Sequence, residues 1–253
     1  MSRETPVLET AWHMWRATVN DLRRGWLVYG LTILVVTLPV RLLSLSSSLT
    51  ADGSFSTFSA VLSFILNLAL LAVAGRRYHD EPVTVGDAYF DGTKAFVRYL
   101  VTSFMLTLAL FPLGLGLIFF RIGVSASPAL GETLLIAAVA LAISLPSLWL
   151  LIRFSLAPVI AANTNLRPIA SLRLSRQLTL GRFWSVTRRY TVLVLWLLVI
   201  GTALTFLLAL IGSVYHDTVV LNSLYAFVLS LVGLPLGSIY LTRLYNRLSE
   251  LNE

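Results

Sequence analysis

Residues 133–152 read TLLIAAVALAISLPSLWLLI, twenty residues without a charge. A helix of this length rises about 30 Å, the thickness of a bilayer's hydrocarbon core. The stretch predicts a transmembrane helix. Five others share its character: 26–43, 58–74, 99–120, 191–211 and 219–241. Proline falls inside four of the six, as Pro39, Pro112, Pro146 and Pro235. Each would break a soluble helix, but a bundle in lipid tolerates proline because neighbouring groups re-satisfy the freed carbonyls.

Composition agrees. Of 253 residues, 57% are hydrophobic and only 12% charged, where a soluble domain carries about 25% charged residues. Mean hydropathy is +0.83. Spans and short connections use up nearly the whole chain, so residues 1–253 read as one six-span membrane domain. Cysteine is absent, which excludes disulfides, thiolate metal sites and a cysteine nucleophile. Residues 1–24 include Glu4, Glu9, Arg16, Asp21, Arg23 and Arg24 and do not read as a cleavable signal.

The net charge of +7 comes almost wholly from arginine, Lys94 being the one lysine. In a membrane protein such charge marks the cytoplasmic loops rather than a nucleic-acid surface. Seventeen of the nineteen basic residues fall on one side of the six spans, leaving only Arg41 and Arg121 on the other. Both termini are expected in the cytoplasm of a bacterium, with the protein in its inner membrane. The opposite loops, 44–57, 121–132 and 212–218, are short.

Three segments on the arginine-rich side are patterned. In 6–24, Leu8, Trp12, Trp15, Val19 and Leu22 recur at helical spacing, opposite Glu9, His13, Arg16, Asn20 and Arg23. The pattern predicts an amphipathic helix lying in the interface. In 83–98 a polar stripe of Asp87, Asp91, Lys94 and Arg98 follows a capping-box pattern, Thr84-x-x-Asp87. The third, 167–189, opens with Pro168 and breaks at Gly181. Each segment precedes two spans, giving three possible repeat units, 6–74, 83–152 and 167–241. Corners between surface helix and span are expected near Gly25, Arg98 and Arg189. Such units would be related by an axis along the membrane normal.

Catalytic patterns are missing: no HExxH, GxSxG, phosphate loop or EF-hand pattern occurs. His79, Asp80 and Glu81 are consecutive, and three such side chains do not converge easily on one ion, so no metal or cofactor is expected. Arg153 borders a span and is the leading lipid or substrate contact, with snorkelling to headgroups as its plainer role. Gly233 and Gly237 form a GxxxG pair that permits close helix approach.

Residues 153–184, RFSLAPVIAANTNLRPIASLRLSRQLTLGRFW, carry a recognisable pattern. It resembles the signature region of the YciC-type inner-membrane proteins and is similar to the membrane domain of some glycerophosphodiester phosphodiesterases. The shared features are Pro158 closing an apolar-Ala-Pro step, Ser171 and Ser175 in Ala-Ser-x-x-x-Ser, Thr179 after Leu178, and Gly181. The resemblance implies a six-span membrane protein. The catalytic domain of the phosphodiesterases is absent, so no enzymatic activity is implied.

The reading is an all-α, non-enzymatic integral membrane protein that interacts with lipid or scaffolds envelope proteins. Arg173, Arg176 and Arg182 are expected to contact anionic lipid. An envelope protein or a second copy of the chain is a further possible partner, and nucleic acid is not expected. The alternative is a transporter or permease subunit coupled to a separate ATPase.

Overall fold

The computed structural model describes residues 10–44, 53–125, 129–212 and 218–252. The start of the first surface segment, most of the serine-rich 44–57 segment, and the turn with His216 and Asp217 lie outside them. Among the described residues the fold is all-α. Nine helices follow in order: α1 Ala11–Ser44, α2 Gly53–Tyr78, α3 Val85–Ala109, α4 Phe111–Ser125, α5 Leu130–Phe154, α6 Ala157–Asn163, α7 Pro168–Thr179, α8 Phe183–Gly212 and α9 Thr218–Glu250.

Among the described residues four stretches are long and apolar enough to cross a membrane: Thr57–Tyr78, Leu130–Asn163, Phe183–Ile211 and Ser223–Glu250. The pair α3 and α4, bent by 41° at Leu110, makes a fifth if taken as one span. The predicted span 99–120 is therefore not one straight helix. Pro112 has no N–H to continue the ladder and its ring crowds the preceding turn. The chain bends there, and the N–H of Leu113 in the new first turn donates to Ser147 Oγ of α5 at 3.0 Å. The predicted span 26–43 lies inside α1. Across its described length α1 also carries Arg23 and Arg24 and does not meet the same criterion.

The corners of the surface helices depart from expectation in all three places. α1 runs through Gly25 without a corner. No proline interrupts residues 11–38, and Gly25 accommodates the Arg77 guanidinium, whose Cζ would lie 2.7 Å from an added Cβ. α3 likewise runs through Arg98, breaking only before Pro112. Its start is as predicted: Asp87 N–H donates to Thr84 Oγ1 and Thr84 N–H to Asp87 Oδ2, closing the capping box. Only the third surface helix, α7, stands apart. Its corner is at Gly181, with φ +75°, not at Arg189, which lies inside α8. A left-handed residue suits glycine, which has no Cβ to strain.

The apolar face of the first segment is a packing face. Met14 and Trp15 are buried and Val19 and Leu22 pack beside them. Trp15 stacks on Trp196 of α8 with ring centroids 5.1 Å apart, a contact worth about 0.5–1.5 kcal/mol beyond its buried area. Asp21 pairs with Arg243 of α9. Among the described residues of this face, Trp12 alone stays half exposed.

Burial concentrates at the arginine-rich end. One cluster joins Met14, Leu156, Ile160, Leu178, Val186, Tyr240, Leu244 and Leu248. A second joins Tyr29, Ile33, Leu66, Leu70, Val73 and Ile239. By contrast, the apolar run of α8 is mostly exposed, with Leu193 and Leu208 its buried residues. A groove of about 790 Å³ separates α8 from α9, lined by Gly201, Thr205, Tyr225 and Gly233 among others.

This groove corrects the expected GxxxG contact. A Cβ on Gly233 would make only ordinary contact with Leu197, and one on Gly237 would meet nothing within 4 Å. The small residues face open space, with no backbone close enough to exploit them. The close approaches lie elsewhere. A Cβ on Gly92 would come within 3.0 Å of the Ala69 amide nitrogen, and one on Gly116 within 2.7 Å of the Ala140 carbonyl oxygen.

Candidate functional site

Residues 153–184 fold as a latch. α5 ends at Phe154, and the carbonyls of its last turn have no partner within the helix. The carbonyl of Arg153 accepts from Ser175 Oγ at 3.0 Å and lies 3.4 Å from Thr179 Oγ1. Ser175 and Thr179 are four apart, so they share one face of α7, and Ser171 continues it. All three are buried with Leu178. Ser171 Oγ donates to the Arg167 carbonyl at 3.3 Å. Pro158 stands in the first turn of α6, where its missing N–H costs nothing. Gly181 makes the turn that brings α8 back. Pro158, Ser171, Ser175, Thr179 and Gly181 thus have architectural places.

The predicted arginines separate. Arg153 lies over the ring of Trp149 on its own helix, 4.5 Å from the centroid. Arg182 reaches the last described turn, donating to the Leu251 carbonyl at 3.4 Å. Arg173 and Arg176 are exposed on the outward face of α7. Ile169 on the same helix is exposed too, and so are Leu180 and Trp184 on either side of the Gly181 turn, 58%, 62% and 79% accessible.

A cavity of about 400 Å³ opens at the same end, between α2, α3, α6 and α9. Its lining is polar and unusually rich in donors: Arg76 and His79 at the end of α2, Lys94 and Arg98 on α3, Asn163 and Asn165 after α6, and Asn246 on α9. Two glycines build it. Gly92 lets α3 close onto α2, which places Asp91 and Lys94 beside Arg76. Gly75 leaves room for Asn163, whose Oδ1 would lie 2.7 Å from an added Cβ.

Within the cavity one carboxylate serves two cations. Asp91 pairs with Arg76 through one oxygen and with Lys94 through the other at 3.3 Å. Arg98 donates to the neutral Asn165 Oδ1 at 2.9 Å, and its Nε is shielded from solvent without a hydrogen-bond acceptor. Two nearby backbone acceptors are occupied. The Ile160 carbonyl takes both Thr164 donors, and the Arg76 carbonyl takes the N–H groups of His79 and Glu81. The site offers donors and positive charge in excess of its acceptors.

In the sequence Arg76, Lys94 and Arg98 read as part of the charge asymmetry across the membrane, and Asn163, Asn165 and Asn246 carry no signal. The available hint was the polar stripe of α3, whose Asp91, Lys94 and Arg98 turn toward other helices. Among the described residues no cluster of His, Asp or Glu is arranged to hold a metal ion. No protein-family model, curated protein or solved structure matches the chain.

Proposed function

We propose that this is a non-enzymatic inner-membrane protein that engages anionic lipid at its cytoplasmic face. The observation that carries the reading is the outer face of α7. Its inner side is held to α5 by Ser175 and Thr179, while Arg173 and Arg176 stand exposed beside Ile169, Leu180 and Trp184. Basic and apolar side chains together on an exposed face suit a headgroup boundary, where each basic residue adds about 1 kcal/mol against an anionic surface. In this reading α1 and the bent α3–α4 pair each cross the bilayer once, making six spans with both termini inside. The charge asymmetry supports that orientation.

Native mass spectrometry of gently extracted protein tests it. Changing Arg173 and Arg176 together to Gln is expected to reduce retained anionic lipid by several fold, with insertion intact. Arg182→Gln, at a side chain turned to the C-terminal turn, is expected to leave lipid retention near wild type. Equal retention by the double variant and the wild type would sink the reading. Co-purification of a separate ATPase subunit would favour a permease instead.

A further inference from the structure

We propose that the cavity between α2, α3, α6 and α9 binds a single phosphate group, drawn from an anionic lipid headgroup or from phosphate in solution. The proposal rests on reading the protein as one that faces lipid headgroups, but on residues separate from the α7 face.

Three cations, Arg76, Lys94 and Arg98, line the cavity with two carboxylates, Asp91 and Glu81. Both oxygens of Asp91 are engaged by Arg76 and Lys94, and Glu81 sits exposed on the loop after α2. Arg98 faces no carboxylate among the described ion pairs. It is held through one terminal nitrogen by the neutral Asn165 and lines the cavity. A phosphate supplies the negative charge this lining lacks, since a guanidinium binds phosphate in a planar, charge-assisted fork.

The asparagines narrow the ligand class further. Asn163 and Asn246 each carry an amide that can donate to a phosphate oxygen. A metal cation would need free carboxylate oxygens, and those of Asp91 are taken. The volume, about 400 Å³, exceeds a phosphate ion and has room for the polar part of a headgroup. The cavity also lies where α2 passes from its apolar run, ending at Ala74, to Arg76 and Arg77. A headgroup phosphate sits at that transition from hydrocarbon to water.

The test uses the full chain in nanodiscs of phosphatidylcholine, with or without phosphatidylglycerol, and inorganic phosphate as the soluble probe. For a lipid source, native mass spectrometry is expected to show one phosphatidylglycerol per chain resisting exchange, its occupancy lowered about tenfold by Arg98→Gln. Arg98→Lys, which keeps the charge and loses the fork, is expected to fall between. For a soluble source, inorganic phosphate should raise the melting temperature of the wild type and not of Arg98→Gln, with lipid retention equal in both. If Arg98→Gln does not accumulate in the membrane, Lys94→Gln, at an exposed side chain, is expected to weaken the same binding several fold.

Absence of bound lipid and of any phosphate response overturns the proposal. So does binding that neither Arg98→Gln nor Lys94→Gln alters. Loss with the Arg173 and Arg176 double variant alone would support the α7 reading and reject the cavity. Loss with the cavity variants alone would do the reverse.

Discussion

The Arg153 carbonyl shows how much one acceptor can organise. It ends α5, and two hydroxyls from α7 reach it. The Thr179 hydroxyl also lies 3.0 Å from the Ser175 carbonyl and 3.1 Å from that of Arg176. It has one proton to share among three acceptors, so Ser175 is the principal donor. Ser175→Ala is expected to cost about 1 kcal/mol and Thr179→Val less. The double variant should cost more than the two together, about 2–3 kcal/mol, because only then is a buried carbonyl left without a donor. Thermal unfolding in a fixed detergent measures all three, and strict additivity would show that the carbonyl finds water.

Among elements, helix breaks and close approaches decide the packing. The break before α4 leaves the Leu113 N–H to be satisfied by Ser147, a fully buried side chain of α5. Ser147→Ala removes the only acceptor this structure supplies to that N–H. In a bilayer no water replaces it, and the expected loss is about 1–3 kcal/mol. A second comparison sets two helical glycines against each other. At Gly92 an added methyl meets the backbone of Ala69, which cannot move aside, so Gly92→Ala is expected to cost about 1–3 kcal/mol. At Gly25 it meets the far end of the Arg77 side chain, which can swing away, and the edge of the buried Tyr29 ring at 3.0 Å. The helix gains up to about 1 kcal/mol from alanine, which offsets that contact. Gly25→Ala should be close to neutral and cost less than Gly92→Ala. Melting temperatures of the two variants ranked the other way round would contradict the packing described.

Across the whole molecule, packing is uneven. The two buried clusters lie toward the arginine-rich end, while most of the apolar run of α8 is exposed, meeting the core through Leu193, Trp196, Leu197 and Ile200. Half or more of the surface of Val194, Leu195, Leu198, Phe206 and Leu210 is exposed and awaits lipid. Without apolar transfer to drive helix association in a bilayer, close packing gathers where hydrogen bonds, ion pairs and stacked rings are available. The orientation has a direct test, because the chain lacks cysteine. A cysteine at Thr93, exposed on α3, is expected to resist an impermeant thiol reagent in intact cells, and to react once the membrane is opened. Cysteines at Ser47 and Ser213, outside the described residues, should react in intact cells. Labelling at Thr93 alone would invert the protein.

By itself the sequence determined the class. Long uncharged runs leave a chain no stable place but a bilayer, and the helix is the open structure that satisfies its own backbone there. The capping box at Thr84 and the break at Gly181 were equally local, since a cap or a left-handed turn involves a few adjacent residues. Tertiary structure decided the rest. The apolar stripe of residues 12–22 reads the same whether it meets lipid or Trp196, and only the position of α8 distinguishes the two. Gly233 and Gly237 look like a contact and face open space, because close approach depends on what the neighbouring helix presents. The cavity draws Arg76, Arg98, Asn165 and Asn246 from four segments far apart in the chain. No spacing rule joins them, and their excess of donors over acceptors exists only once the helices are packed.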